Sequence, residues 1–96
     1  MIIELKKIGT TLTSRQAGRE ALFAFRPVLS GVSSDEIINI DFDGVITFTP
    51  SWGDEFLTPL AKEFDDRFIL MSTDNLSVIE TLKILESTNE MKFRRS

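Results

Sequence analysis

Four carboxylates, two hydroxyls, two guanidinium groups and one indole are the side chains of this sequence whose type and spacing suit chemistry. Asp41 and Asp43 close an isoleucine-rich run, and Asp54 and Glu55 follow in the next segment. Gathered at the carboxyl ends of strands, where ligands of α/β sheets bind, these four would hold Mg²⁺ through oxygen ligands. Paired-carboxylate hydrolysis fits them less well, since nothing beyond the lone Trp52 resembles a sugar-binding groove. Each also has a plainer use: Asp43 in a turn, Asp41 accepting backbone N–H groups, Asp54 beside a helix start. Thr49 and Ser51 flank Pro50 where a helix is expected to begin. Unpaired N–H groups and the positive dipole end there favour a phosphorylated hydroxyl, Ser51 first and Thr49 next, and the same hydroxyls would otherwise only cap the helix. Arg15 and Arg19 lie one turn apart at another helix start, which does not favour cations. They are expected to pair with acids such as Asp41 or Glu20, or to meet a partner's phosphate or carboxylate. Trp52, the single Trp, suits either core packing or an aromatic anchor at a protein interface.

Composition removes most other chemistry. The chain has 96 residues and contains no Cys, no His and no Tyr. Disulfides, Cys or His zinc sites, redox thiols and His-based nucleophilic relays are therefore excluded. A group titrating near neutrality would have to be a strongly perturbed carboxylate or Lys. The length suits one domain over residues 1–96. The formal charge of −4 is unevenly spread. Residues 1–30 carry five cations against Glu4 and Glu20, residues 31–90 hold thirteen acids against Lys62, Arg67 and Lys83, and the tail adds Lys92, Arg94 and Arg95. An acidic body repels polyanions, so nucleic acid is not an expected partner. No apolar run reaches the roughly 20 residues of a membrane span, and residues 1–9 alternate too closely for a secretory signal, so a cytoplasmic protein is expected.

The elements follow from periodicity. Residues 1–8 alternate as a half-buried strand. Thr13 with Gln16 resembles a capping box, and Ala17, Ala21, Phe25 and Val28 recur at helical spacing, widened by Leu22 and Leu29. Pro27 suggests a bend or end, and Ser30-Gly31 a stop. Residues 36–42 read as a central strand, Asp43-Gly44 as a hairpin turn or a simple continuation, and residues 45–48 as the next strand. Thr49 caps and Pro50 opens a second helix bearing Trp52, Phe56, Leu60 and Phe64, with Pro59 inside it. Residues 68–72 form a strand, and Asp74 caps a third helix with Leu76, Ile79, Leu82 and Leu85 inward and Glu80, Lys83 and Glu86 toward water. Residues 91–96 are a frayed end or a short edge strand, through which a weak homodimer would form. The fold class is α/β: a small mixed, mostly parallel sheet of about four strands covered by three helices, in the order β-α-β-β-α-β-α.

Residues 37–57, IINIDFDGVITFTPSWGDEFL, resemble the central segment of the STAS superfamily, the domain of sulphate transporters and anti-sigma-factor antagonists. Asp41-Phe42-Asp43-Gly44-Val45 matches the family's Asp-apolar-x-Gly-Val strand. Thr49-Pro50-Ser51-Trp52 falls where the family has Asp-Ser-Ser-Gly, and Pro50 falls at the residue that the family phosphorylates. Proline has no hydroxyl, so the usual switch does not transfer to that position. Leu12-Thr13-Ser14-Arg15 with Arg19, then residues 41–45, then Ser51-Trp52-Gly53-Asp54-Glu55 resemble, in order, three blocks of an uncharacterised STAS-like subgroup. The resemblance implies a bacterial or phage regulatory module that docks on a histidine-kinase-like ATPase and performs no catalysis or cofactor chemistry itself. Ser51 and Thr49 are then the phosphorylation candidates, and Arg15, Arg19, Asp41, Asp43, Trp52, Asp54 and Glu55 the partner-binding set. Two other readings stand beside it: a prophage or accessory structural protein acting as a homodimer, and a metal-dependent enzyme using Asp41, Asp43, Asp54 and Glu55.

Overall fold

Short strands joined by helices have few ways to pair, and this chain takes the one in which every pairing is parallel. In the computed structural model, which describes residues 1–96, the chain runs β1 (Ile2–Glu4), a 3-10 turn (Leu5–Lys7), β2 (Thr11–Leu12), α1 (Arg15–Leu29), β3 (Ile38–Asp41), β4 (Thr47–Phe48) and α2 (Pro50–Phe64). A second 3-10 turn (Asp65–Arg67), β5 (Phe68–Leu70), α3 (Leu76–Thr88) and β6 (Arg94–Arg95) complete it. The main sheet has the order β1-β3-β5-β6, and β2 and β4 form a separate two-stranded ribbon. The register sets Ile3 beside Ile40 and Ile40 beside Leu70. Ile3, Ile38, Ile40, Phe68 and Leu70 fall on one face and are buried, as the two-residue alternation of strands requires. The strand order advances in one direction, so right-handed crossovers place the three helices side by side on that face. No helix is long and apolar enough to cross a membrane.

The expected hairpin at Asp43-Gly44 does not form. Gly44 sits at φ 85°, the Val45 N–H donates to the Phe42 carbonyl, and the chain turns away from β3. It then pairs in parallel with β2, a strand not anticipated within the N-terminal segment. The mixed edge is therefore absent. The Ile46 and Thr47 N–H groups both donate to the Thr10 carbonyl. On its free side β4 is pinned by α3 instead of a strand. Ser77 Oγ accepts from the Phe48 N–H and donates to its carbonyl, which also accepts from Thr81 Oγ1 at 2.7 Å. Asn75 Nδ2 donates to the Val45 carbonyl at 2.7 Å while its Oδ1 caps the Val78 N–H. Asn75, not Asp74, is the cap, because only it reaches both groups.

Helix α1 differs from its sequence expectation in cap and in buried face. Ser14, not Thr13, accepts from the Ala17 N–H, holding φ 74° and ψ 142°, a region that costs a non-glycine residue about 1–3 kcal/mol. Gly18, Ala21 and Leu29 are buried, with Leu22 and Phe25 beside them, whereas Ala17 is exposed and Val28 is half in water. Gly18 is the reason. A Cβ there would lie 2.5 Å from the Trp52 carbonyl oxygen and 3.0 Å from its Cα, so the bare backbone lets α1 and α2 touch along that face. Pro27 and Pro59 both lie inside their helices. Pro27 is exposed, which leaves the carbonyl that its missing N–H would have served turned toward water.

The tail is ordered as an edge strand, not frayed. Glu86, expected on the wet side of α3, is buried, and its Oε2 accepts from the Phe93 N–H at 2.8 Å and from Arg95 Nη2 at 2.9 Å. These bonds seat β6 against β5.

Gly18→Ala tests the helix contact by the sign of its effect. The same change in an exposed helix interior stabilises by up to about 1 kcal/mol. Here it should destabilise by about 1–3 kcal/mol, as overpacking does, read as a lower urea midpoint.

Candidate functional site

The Gly18 contact sets α1 and α2 nearly side by side with their starts together, since Arg15 near one start reaches Asp54 near the other and Arg26 reaches Glu63 near both ends. Arg15 Nη1 lies 3.1 Å from Asp54 Oδ2 and 3.1 Å from Glu55 Oε1, and Arg19 Nη2 lies 3.3 Å from the same Glu55 oxygen. The two arginines at the start of α1 are thus offset by two acids of α2, not by Asp41 or Glu20. Asn89, just beyond α3, donates through Nδ2 to Asp54 Oδ1 at 3.2 Å. Asp54 therefore ties three helices together. Partial burial pushes the Asp54 carboxyl up, but hydrogen bonds from Asn89 and Arg15 outweigh it and hold the group below the ordinary carboxylate range. Thr58, one turn on, adds to that lowering, although its buried Oγ1 has no partner at hydrogen-bond distance. The Arg15 hydrogen bond chiefly lowers Glu55, against slight desolvation and with Arg19 assisting.

Ser51 stands one turn before Asp54 and Glu55 and is half-buried. Residues three and four apart on a helix are surface neighbours, so a group on the Ser51 hydroxyl would share that patch with both carboxylates. Thr49 is the backbone cap of α2, but its side chain makes no cap bond. Its Oγ1 instead donates to the Leu12 carbonyl at 3.3 Å, which joins β2 to the helix start. Of the two hydroxyls, Ser51 is the one with no structural bond to give up.

Trp52 is not an interface anchor: it is 1% exposed, stacked on Phe56 at 4.9 Å and edge-on to Phe48 at 5.7 Å. Its position one residue after Ser51 points it inward, toward the aromatic cluster, while Ser51, Asp54 and Glu55 lie on the outer flank. The four carboxylates of the enzyme reading are not brought together either. Asp41 Oδ1 accepts from the Asp43 N–H at 2.9 Å, and Asp43 Oδ2 lies 3.7 Å from Lys6 Nζ. Both line a cleft with Ser72, Thr73, Asp74 and Asn75 at the carboxyl ends of β3 and β5, whereas Asp54 and Glu55 face the arginines. No group of three or more acidic side chains is placed to hold a metal ion. Gly18 and Asn89 join the site through contacts distant in sequence that no local pattern of site residues marks. Gly18, a lone glycine inside a helical pattern, was the one signal of a close backbone approach.

No protein-family model, curated protein or solved structure matches the chain.

Two measurements follow from this geometry. A folded-state carboxylate held below its unfolded value contributes stability in full above the unfolded value, about 3.9–4.3, and loses it as pH falls through the lower, folded value. The melting temperature should therefore drop as pH is lowered below about 4.3, and Arg15→Met should flatten that drop. Trp52→Ala should cost about 3–5 kcal/mol in chemical denaturation, as loss of a buried aromatic does, and an exposed anchor would cost little.

Proposed function

We propose that the chain is a non-enzymatic, STAS-like regulatory module of the cytoplasm, docking on a histidine-kinase-like ATPase through the outer flank where α1 and α2 begin. The observation that carries the reading is the half-buried, uncommitted Ser51 hydroxyl one turn from Asp54 and Glu55, whose charge is balanced by Arg15 and Arg19. The surface this flank offers is made of Ser51, Arg15, Arg19, Asp54 and Glu55. Thr49, engaged with Leu12, and Trp52, in the core, support it from behind.

A switch follows from the charges. Transfer of a phosphoryl group from ATP to Ser51 Oγ, with the hydroxyl proton lost and ADP leaving, adds about −1.5 to −2 charges at neutral pH. The start of α2 favours that charge, but Asp54 and Glu55 repel it. Arg15, exposed over half its side chain, is the cation that relieves the repulsion by moving from the carboxylates to the phosphate. The surface changes from balanced to strongly acidic without disturbing Trp52 or the sheet.

Incubating the protein with the candidate ATPase and ATP should add the mass of one phosphate, and Ser51→Ala should prevent it while Thr49→Val should not. A second variant, Arg15→Glu with Arg19→Glu, should weaken co-purification with that ATPase while leaving a cooperative thermal transition. No mass increase, together with unchanged capture of the charge-reversed protein, would refute the reading.

A further inference from the structure

Three polar side chains are buried: Thr58, Thr81 and Glu86. Thr81 Oγ1 donates to the Phe48 carbonyl, and Glu86 accepts from the Phe93 N–H and from Arg95, so each has a bond that explains its place in the interior. Thr58 has none. It is 5% exposed, and its Oγ1 is alone among the buried side-chain nitrogen and oxygen atoms in meeting no partner. A buried hydroxyl without a bond is destabilising, and Val, with the same branching, would avoid that cost. A use for the hydroxyl lies close by. Thr58 stands one turn after Asp54 on α2, where side chains four apart are neighbours and each Cβ leans toward the preceding turn. Against the upward push of burial, Thr58 joins Asn89 and Arg15 in lowering the Asp54 carboxyl. Asp54 has one donor on each oxygen, Asn89 on Oδ1 and Arg15 on Oδ2. Asn89 is held in place, since the same Nδ2 also donates to the Leu85 carbonyl at 2.9 Å, whereas Arg15 is the cation that a phosphate on Ser51 would draw off.

We infer that Thr58 is a positioning residue whose hydroxyl is held in reserve for Asp54, turning to donate to Oδ2 when Arg15 leaves. The inference rests on the Ser51 reading for the event that moves Arg15, but the exchange of donors needs only the loss of Arg15. In the resting chain Arg15 and Asn89 satisfy the carboxylate and the third donor is idle. Threonine in a helix has two accessible χ1 rotamers, so rotation about one bond brings the hydroxyl into use. A hydroxyl bonded to a carboxylate makes a stronger bond than one between neutral groups. The gain arrives when Oδ2 is bare and faces a new phosphate of like charge. Asp54 then keeps its bond to Asn89, and the tie between α2 and α3 survives the change at the surface. The switch stays local because a donor from the buried side replaces the one that departs.

Thermal melts at neutral pH, with Thr58→Val and Thr58→Ser each made in the native chain and in the Arg15→Met chain, test this. In the native chain Thr58→Val should raise the melting temperature by several degrees, because it removes an idle buried hydroxyl. In the Arg15→Met chain the same change should lower it, because the hydroxyl is then a donor to Asp54. A residue that only fills space would give one sign in both chains. Thr58→Ser, which keeps the hydroxyl, should shift both chains alike. The chain carrying phosphoserine at position 51 should follow the Arg15→Met pattern. An effect of Thr58→Val with the same sign in the native and Arg15→Met chains, or a reversal that Thr58→Ser reproduces, would overturn the inference. Reversal with Arg15→Met but not with phosphoserine would uphold the reserve donor and refute instead the movement of Arg15 to the phosphate.

Discussion

The approach of α1 to α2 at Gly18 is the constraint on which the rest depends. With no Cβ on that residue the first helix rests on the backbone of Trp52, and the helix pair closes around an edge-on Phe25–Phe56 contact and the Trp52–Phe56 stack. Once the helices are that close, Arg15 and Arg19 have no distant choice of partner. They fall on Asp54 and Glu55, and two cations at a helix start, unfavourable alone, become part of a balanced cluster. The same approach turns Trp52 inward and leaves Ser51 on the flank. Core and surface are therefore set by one glycine.

The ribbon of β2 and β4 supplies the second half of the positioning. It follows two interruptions, the 3-10 turn after β1 and the Gly44 turn after β3, and it delivers the chain to the starts of α1 and α2 at the same level. Thr49 locks one side through the Leu12 carbonyl, and Ser77 and Thr81 lock the other through Phe48. These hydroxyls stand in for the strands that a wider sheet would provide, so the polar groups of a two-residue strand stay paired. The flank is held from the sheet side and from the helix side at once.

The helices and the central strands were legible because their apolar residues recur at the right periods: Trp52, Phe56, Leu60 and Phe64 every four, Ile38 and Ile40 every two. What was not legible depended on contacts distant in sequence. The Asp43-Gly44 pair reads as a hairpin locally, and only the prior claim of β2 on β4 sends the chain elsewhere. Thr13 and Asp74 read as caps as well as their neighbours do; Ser14 is the residue that meets the Ala17 N–H, and Asn75 is chosen because its side chain reaches the Val45 carbonyl as well as the Val78 N–H. Glu86 looks solvated by its helical spacing, yet the tail folds back onto it. For the site, the pairing of Arg15 with Asp54 and Glu55 depends on the Gly18 contact, and the inward side of Trp52 depends on how closely α1 approaches α2.

The central claim is that a charge on Ser51 is answered by Arg15 without disturbing the core beneath. The most direct measurement is the NMR spectrum of the chain carrying phosphoserine at position 51, compared with the unmodified chain. The account predicts altered Arg15 side-chain N–H resonances and backbone shifts confined to residues near Arg15, Arg19, Asp54 and Glu55, with the Trp52 indole resonance unmoved. Unchanged Arg15 resonances, or shifts spread through Trp52 and the sheet, would contradict it.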